Sequence, residues 1–206
     1  MMELFVSALV TFFVIIDPPG CAPIFASLTG GAPAAHRRSM AFRSTFVAAL
    51  ILFMFAVFGE AFLGALGISL EAFRVAGGVM LFLIALEMVF EKRTERREHR
   101  AEDVKAHPEH EDISIFPMAI PMIAGPGSIA SVMLMTARSN GIEESLTVLA
   151  ALALVLIVNL GALLAAGPIM RVLGYRVEAM ITRILGVVLA ALAAQFVIDG
   201  IKASFI

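Results

Sequence analysis

Charge is scarce in this 206-residue chain: 16% of residues are Asp, Glu, Lys or Arg, and 15 basic side chains nearly balance 17 acidic ones. With 60% apolar residues and a mean hydropathy of +0.96, the chain has too little polar surface to cover a soluble globule. Composition therefore points to a polytopic membrane protein whose first partner is the lipid bilayer. The formal net charge of -2 leaves no basic excess for nucleic acid, and the charges concentrate in one stretch instead of striping a helix face. A lone cysteine, Cys21, excludes an intramolecular disulfide. No Lys or Arg precedes the first apolar run, and that run ends at Asp17-Pro18-Pro19-Gly20 instead of a small-residue cleavage site, so no cleaved signal peptide is expected. P-loop, Gly-x-Ser-x-Gly, His-Glu-x-x-His and paired-cysteine signatures are missing, which leaves enzymatic activity and a cofactor without support. The histidines of the polar stretch, His99, His107 and His110, follow no metal-ligand spacing.

What the chain does have is six hydrophobic segments, at about 4–29, 41–66, 70–90, 113–136, 144–170 and 178–201. Most exceed the roughly 20 apolar residues that cross a bilayer. The first and fourth are interrupted. Leu4 to Ile16 reaches only ~20 Å as a helix, and Ile113 to Ala124 about the same, so neither piece spans alone. Asp17-Pro18-Pro19-Gly20 follows the first piece and Gly125-Pro126-Gly127 the second, with Pro18 and Pro126 108 positions apart. Such breaks free backbone groups at bilayer depth, which is tolerated only where protein or a wet cavity satisfies them.

Further landmarks keep the same interval. Gly59 matches Gly167 and Gly78 matches Gly186 at 108, and Leu66-Gly67-Ile68-Ser69-Leu70-Glu71-Ala72 resembles Leu173-Gly174-Tyr175-Arg176-Val177-Glu178-Ala179 at 107. The reading is an internal duplication, with a first three-helix repeat over 1–90, a charged linker over 91–112 and a second repeat over 113–206. The linker carries Lys92, Arg93, Arg96, Arg97, Arg100 and Lys105 against eight acidic residues. Its alternating signs predict a solvated, partly helical connector with no chemistry of its own.

If the interrupted segments cross, Arg37, Arg38, Arg43, the linker bases, Arg171 and Arg176 fall on one side, which is expected to be cytoplasmic. Both termini are then expected outside. Three crossings per half make the duplication an inverted repeat, the plan of many alternating-access transporters. The expected fold class is all-α: a polytopic membrane protein of six transmembrane helices, as two inverted three-helix repeats with broken first and fourth helices. The rival topology makes segments one and four re-entrant and leaves four crossings.

Asp17 is the ionisable residue at a break, suited to a proton, a sodium ion or a substrate amino group, or to capping the helix that follows. The second break has no acid; there Gly125 and Gly127 allow close approach, and the helix start at Ser128 offers free amides to a carboxylate or is itself capped by Ser128. Together the breaks could hold the two ends of a zwitterion. Asn159, Glu87 and Gln195 form a possible polar pathway, weighed against helix-to-helix hydrogen bonding and, for Glu87, snorkelling to the surface. Arg74 and Arg183 are expected to pair with Glu71 and Glu178 one turn earlier.

The motifs Asp17-Pro18-Pro19-Gly20-Cys21-Ala22-Pro23-Ile24-Phe25 and Ile123-Ala124-Gly125-Pro126-Gly127-Ser128-Ile129, with six segments at this length, resemble the MarC family of membrane proteins over essentially the whole chain. The resemblance implies a multi-pass protein of a bacterial or archaeal cytoplasmic (inner) membrane with its N-terminus outside. It also implies a place in a class that includes small neutral amino-acid transporters, and a site at Asp17, Pro18, Gly20 and Pro23 with Gly125, Pro126, Gly127 and Ser128. The family's association with multiple antibiotic resistance does not establish drug efflux. The family's first motif often has Asn where this chain has Asp17, which tells against a charge-dependent mechanism common to all members.

The leading expectation is a secondary transporter of a small-molecule substrate, a glycine- or alanine-like amino acid, with H+ or Na+ as the candidate coupling ion. Alternatives are a non-transporting protein of envelope assembly or stress response, and an exporter or channel for another small solute. Gly77, Gly78, Gly161 and Gly167 permit close helix packing, within the chain or in a homo-oligomer.

Overall fold

The computed structural model describes residues 1–106 and 113–205, with the backbone alone at 94, 100, 101, 103–106, 170–176 and 178. His107 and His110 lie outside the described residues, as do the side chains of Arg171, Arg176 and Glu178. Described residues form helices and turns, without a strand. They are α1 (Met2–Ile16), α2 (Pro18–Leu28), α3 (Ala34–Ala65), α4 (Leu70–Val89), α5 (Lys92–Ala106), a wide irregular coil (Ser114–Ile123), α6 (Pro126–Ala137), α7 (Ile142–Leu164) and α8 (Ala166–Ser204).

Five spans are long and apolar enough to cross a bilayer, and six when the coil and α6, bent by 53° at their junction, count as one. The two interruptions differ in shape. At the first, one left-handed residue, Asp17 (φ 58°, ψ 65°), separates α1 from α2, and the pair continues as a 27-residue span. At the second, Pro117 and Pro121 force the residues before them, Phe116 and Ile120, into extended backbone.

Two boundaries differ from the sequence reading. α3 begins seven positions ahead of its apolar run, because the polar turn from Ala34 contains no breaker after Pro33. The connection expected at 171–177 is helical: α7 ends at Leu164, α8 starts at Ala166, and Ala165 alone lies between them.

The interrupted helices sit centrally. In the first span 56% of the most apolar window is buried, against 22% for α3 and 28% for α4, and α6 is buried almost continuously from Ser128 to Met135. Outward faces of α3, α4 and α8 expose Phe46, Leu50, Phe58, Leu83, Ile184 and Val187, as a surface in contact with acyl chains requires.

α4 and α8 pack antiparallel along most of their length. A Cβ on Gly78 would lie 2.9 Å from the Ala193 carbonyl oxygen, and one on Gly186 3.1 Å from that of Ala85. The two glycines that match at an offset of 108 thus occupy reciprocal places in one interface, the relation a two-fold axis between the halves produces.

Candidate functional site

The break at Asp17 has a deficit that the chain must make good. In a continuous helix the amides of residues 18 and 19 would donate to the carbonyls of Val14 and Ile15, but both positions are proline and have no N–H. The Ile15 carbonyl accepts instead from Arg93 Nη2 at 2.7 Å. Ile16 carbonyl accepts the Cys21 thiol at 3.4 Å. On the other side of the break Asp17 caps α2, its Oδ1 accepting from the Gly20 amide at 3.1 Å.

The second carboxylate oxygen of Asp17 accepts from Arg97 Nη1 at 3.0 Å, with both side chains buried. Arg93 and Arg97 are one turn apart on α5, the helix of the charged linker. The solvated connector expected from alternating charge is therefore corrected: α5 is helical, but it lies against α2 and α4 and inserts one basic face at the break. Arg96, the third base of that face, pairs with Glu87 at 2.5 Å. The turn into α5 is sharp, with Glu91 left-handed at φ 61°, and Glu91 is tied to Arg183 of α8 at 2.6 Å.

Between the breaks lies a cavity of about 220 Å³, walled by Ile15, Ile84 and Glu87, by Pro121, Met122 and Gly125 to Ser128, and by Arg93, Arg96 and Arg97. That is roughly seven times the ~30 Å³ share of one liquid water, enough for a small solute. α6 begins at its edge with no side-chain cap on its first amides. Gly127 packs closely, since a Cβ there would come within 2.6 Å of Ile84 Cδ1 and the Ile84 side chain would have to shift. Burial lowers the Arg93 pKa to about 10, with the like charge of Arg97 the next cause, while Asp17, Cys21 and Glu87 oppose the shift. At neutral pH Arg93 still carries its charge.

The expected site residues separate into groups. Gly125, Pro126, Gly127, Ser128 and Glu87 line the cavity. Asp17, Pro18 and Gly20 form the buried break behind it, and Pro23 lies further along α2. Gln195 is elsewhere, donating to Asp199 at 2.7 Å beside the Arg138–Asp199 pair. Asn159 is fully buried on α7 with neither amide atom hydrogen-bonded. Arg74 makes no ion pair with Glu71, and its Nε is buried without a partner.

Arg93, Arg96 and Arg97 are the residues that sequence reasoning passed over. The available signal was the pair of orphaned carbonyls created by Pro18 and Pro19, together with arginines at i and i+4 in the charged linker.

A family model described as MarC family integral membrane protein matches residues 2–205. A UPF0056 membrane protein of Methanocaldococcus jannaschii is 36% identical over 205 residues, covering all of this chain and 99% of its own. One of Bacillus subtilis is 33% identical over 205 residues, covering all of this chain and 97% of its own. One of Escherichia coli is 33% identical over 193 residues, covering 94% of this chain and 89% of its own. No solved structure matches the chain.

Proposed function

The chain belongs to the MarC family of integral membrane proteins, and from that premise we propose that it is a secondary transporter of small neutral amino acids, of the size of glycine or alanine. The observation that carries this reading is the cavity, bounded by the end of α1 at one break and by Gly125 to Ser128 at the other. A site shared by two interrupted helices is where a rocking motion of the halves would expose a solute to each face in turn.

The walls of the cavity suit a dipolar solute. The arginines, the uncapped start of α6 and the Glu87 carboxylate, which is paired with Arg96, all border it. Asp17 does not line the cavity; both its oxygens are engaged. Its part in transport is to hold Arg97, and through it α5, against the break. Pro19 acts with it by leaving the carbonyl that Arg93 takes. In this reading the protein resides in the cytoplasmic membrane, the linker faces the cytoplasm, both termini lie outside, and H+ or Na+ drives uptake.

Uptake of labelled glycine and alanine into proteoliposomes under imposed proton and sodium gradients tests the proposal. Saturable uptake or exchange is expected. Absence of flux for every small neutral amino acid under both gradients would remove it.

A further inference from the structure

We propose that Arg93, carried by the charged linker, binds the carboxylate of the ligand in the cavity between the two breaks, so that the site selects a free carboxylate over its neutral derivatives. The proposal rests on the transport reading and adds the residue and the chemical group that set specificity.

Charge balance singles out Arg93. Three guanidiniums enter the cavity wall from α5. Arg96 is matched by Glu87 and Arg97 by Asp17. Arg93 has two neutral partners, the Ile15 carbonyl at 2.7 Å and the Met88 thioether at 3.0 Å, and no described carboxylate lies within ion-pairing distance of it. A guanidinium carries more N–H donors than those two bonds use. Among the described residues, the wall therefore holds one more positive charge than carboxylates to pair with it, in surroundings where solvent screens charge less than bulk water does.

The start of α6 adds to the same field. Pro126, Gly127 and Ser128 border the cavity with no side chain capping the helix, so its partial positive end faces the space that Arg93 faces. A carboxylate placed there neutralises Arg93 and receives hydrogen bonds in the planar, forked arrangement that guanidinium favours. It also relieves the repulsion between Arg93 and Arg97. Glu87, on the same wall, is paired with Arg96 through Oε1 and has Oε2 to offer an ammonium group. Recognition of the carboxylate thus comes from the linker and recognition of its position from the break.

The test is competition on the purified full-length protein in proteoliposomes, with labelled glycine as probe and glycinamide, which keeps the ammonium and lacks the carboxylate, as competitor. Wild type is expected to take up glycine and to ignore glycinamide. Arg93→Gln is expected to raise the half-saturating glycine concentration by about ten- to a hundred-fold and to lose the preference over glycinamide, with Arg93→Lys intermediate. Glycinamide competing as well as glycine in wild type, or Arg93→Gln keeping both affinity and preference, overturns the proposal while uptake itself leaves the transport reading standing. No uptake by wild type removes both. Should Arg93→Gln fail to fold, the wild-type competition and Arg93→Lys decide.

Discussion

Oδ2 of Asp17 accepts a hydrogen bond from Nη1 of Arg97 at 3.0 Å, joining residues 80 positions apart, with 1% and 8% of their side chains exposed. Removing one partner of such a pair leaves a buried charge uncompensated, at a cost of about 3–5 kcal/mol. Asp17→Ala and Arg97→Ala should each lower the melting temperature in detergent sharply, and the double variant should lose far less than the two losses added. Asp17→Asn should be milder, because Asn also tolerates left-handed backbone and caps helices well. Equal losses for Asn and Ala would mean that the charge is what holds α5 in place.

Gly20 offers a test of the same pair that removes no charge. A Cβ on Gly20 would fall 2.2 Å from Asp17 Oδ2 and 2.8 Å from Arg97 Nη1. The aspartate side chain is too short to yield while it still caps α2, so the pair must open. Gly20→Ala should therefore behave like Asp17→Ala in melting temperature. Gly161→Ala on α7 is the control, since a Cβ there meets nothing within 4 Å, and it should gain up to about 1 kcal/mol from helix propensity.

The contact between α4 and α8 predicts a matched pair of outcomes. Gly78 faces the backbone of Ala193 and Val197, at 2.9 and 3.0 Å from a built Cβ, and Gly186 faces the Ala85 carbonyl at 3.1 Å. Backbone cannot swing aside as a side-chain tip can, so the helices must separate. Gly78→Ala and Gly186→Ala should each cost about 1–3 kcal/mol by overpacking. Thermal melts that rank them far apart would count against reciprocal places in one interface.

These glycines also show what the sequence made legible. Duplication leaves paired marks at a fixed offset, so Gly78, Gly186 and the two proline-glycine breaks could be matched without coordinates, and the length of each apolar run marked the spans. The irregular backbone at Phe116 and Ile120 was less visible, because an apolar run does not reveal whether its prolines bend a helix or unwind it. The role of α5 was hidden for a different reason. Hydrophobic periodicity finds buried faces only when they are apolar, and α5 buries arginines. Pro19 announced that a donor was needed at Ile15, but nothing local identifies Arg93, 78 positions away, as its source.

Asn159 separates a structural polar residue from one kept for function. Its side chain is fully buried in α7 and neither amide atom has a hydrogen-bond partner, an arrangement that costs about 1–3 kcal/mol for groups left unsatisfied. Replacement by leucine, which has a similar volume and no polar atoms, removes that penalty. Asn159→Leu should therefore raise the melting temperature of the ligand-free protein in detergent. A stable protein that no longer moves glycine would place Asn159 on the solute's route, where its unpaired amide is satisfied only while a solute or water passes. A stable protein with unchanged flux would make Asn159 a packing residue, and a fall in melting temperature would mean that a partner satisfies it in the resting state.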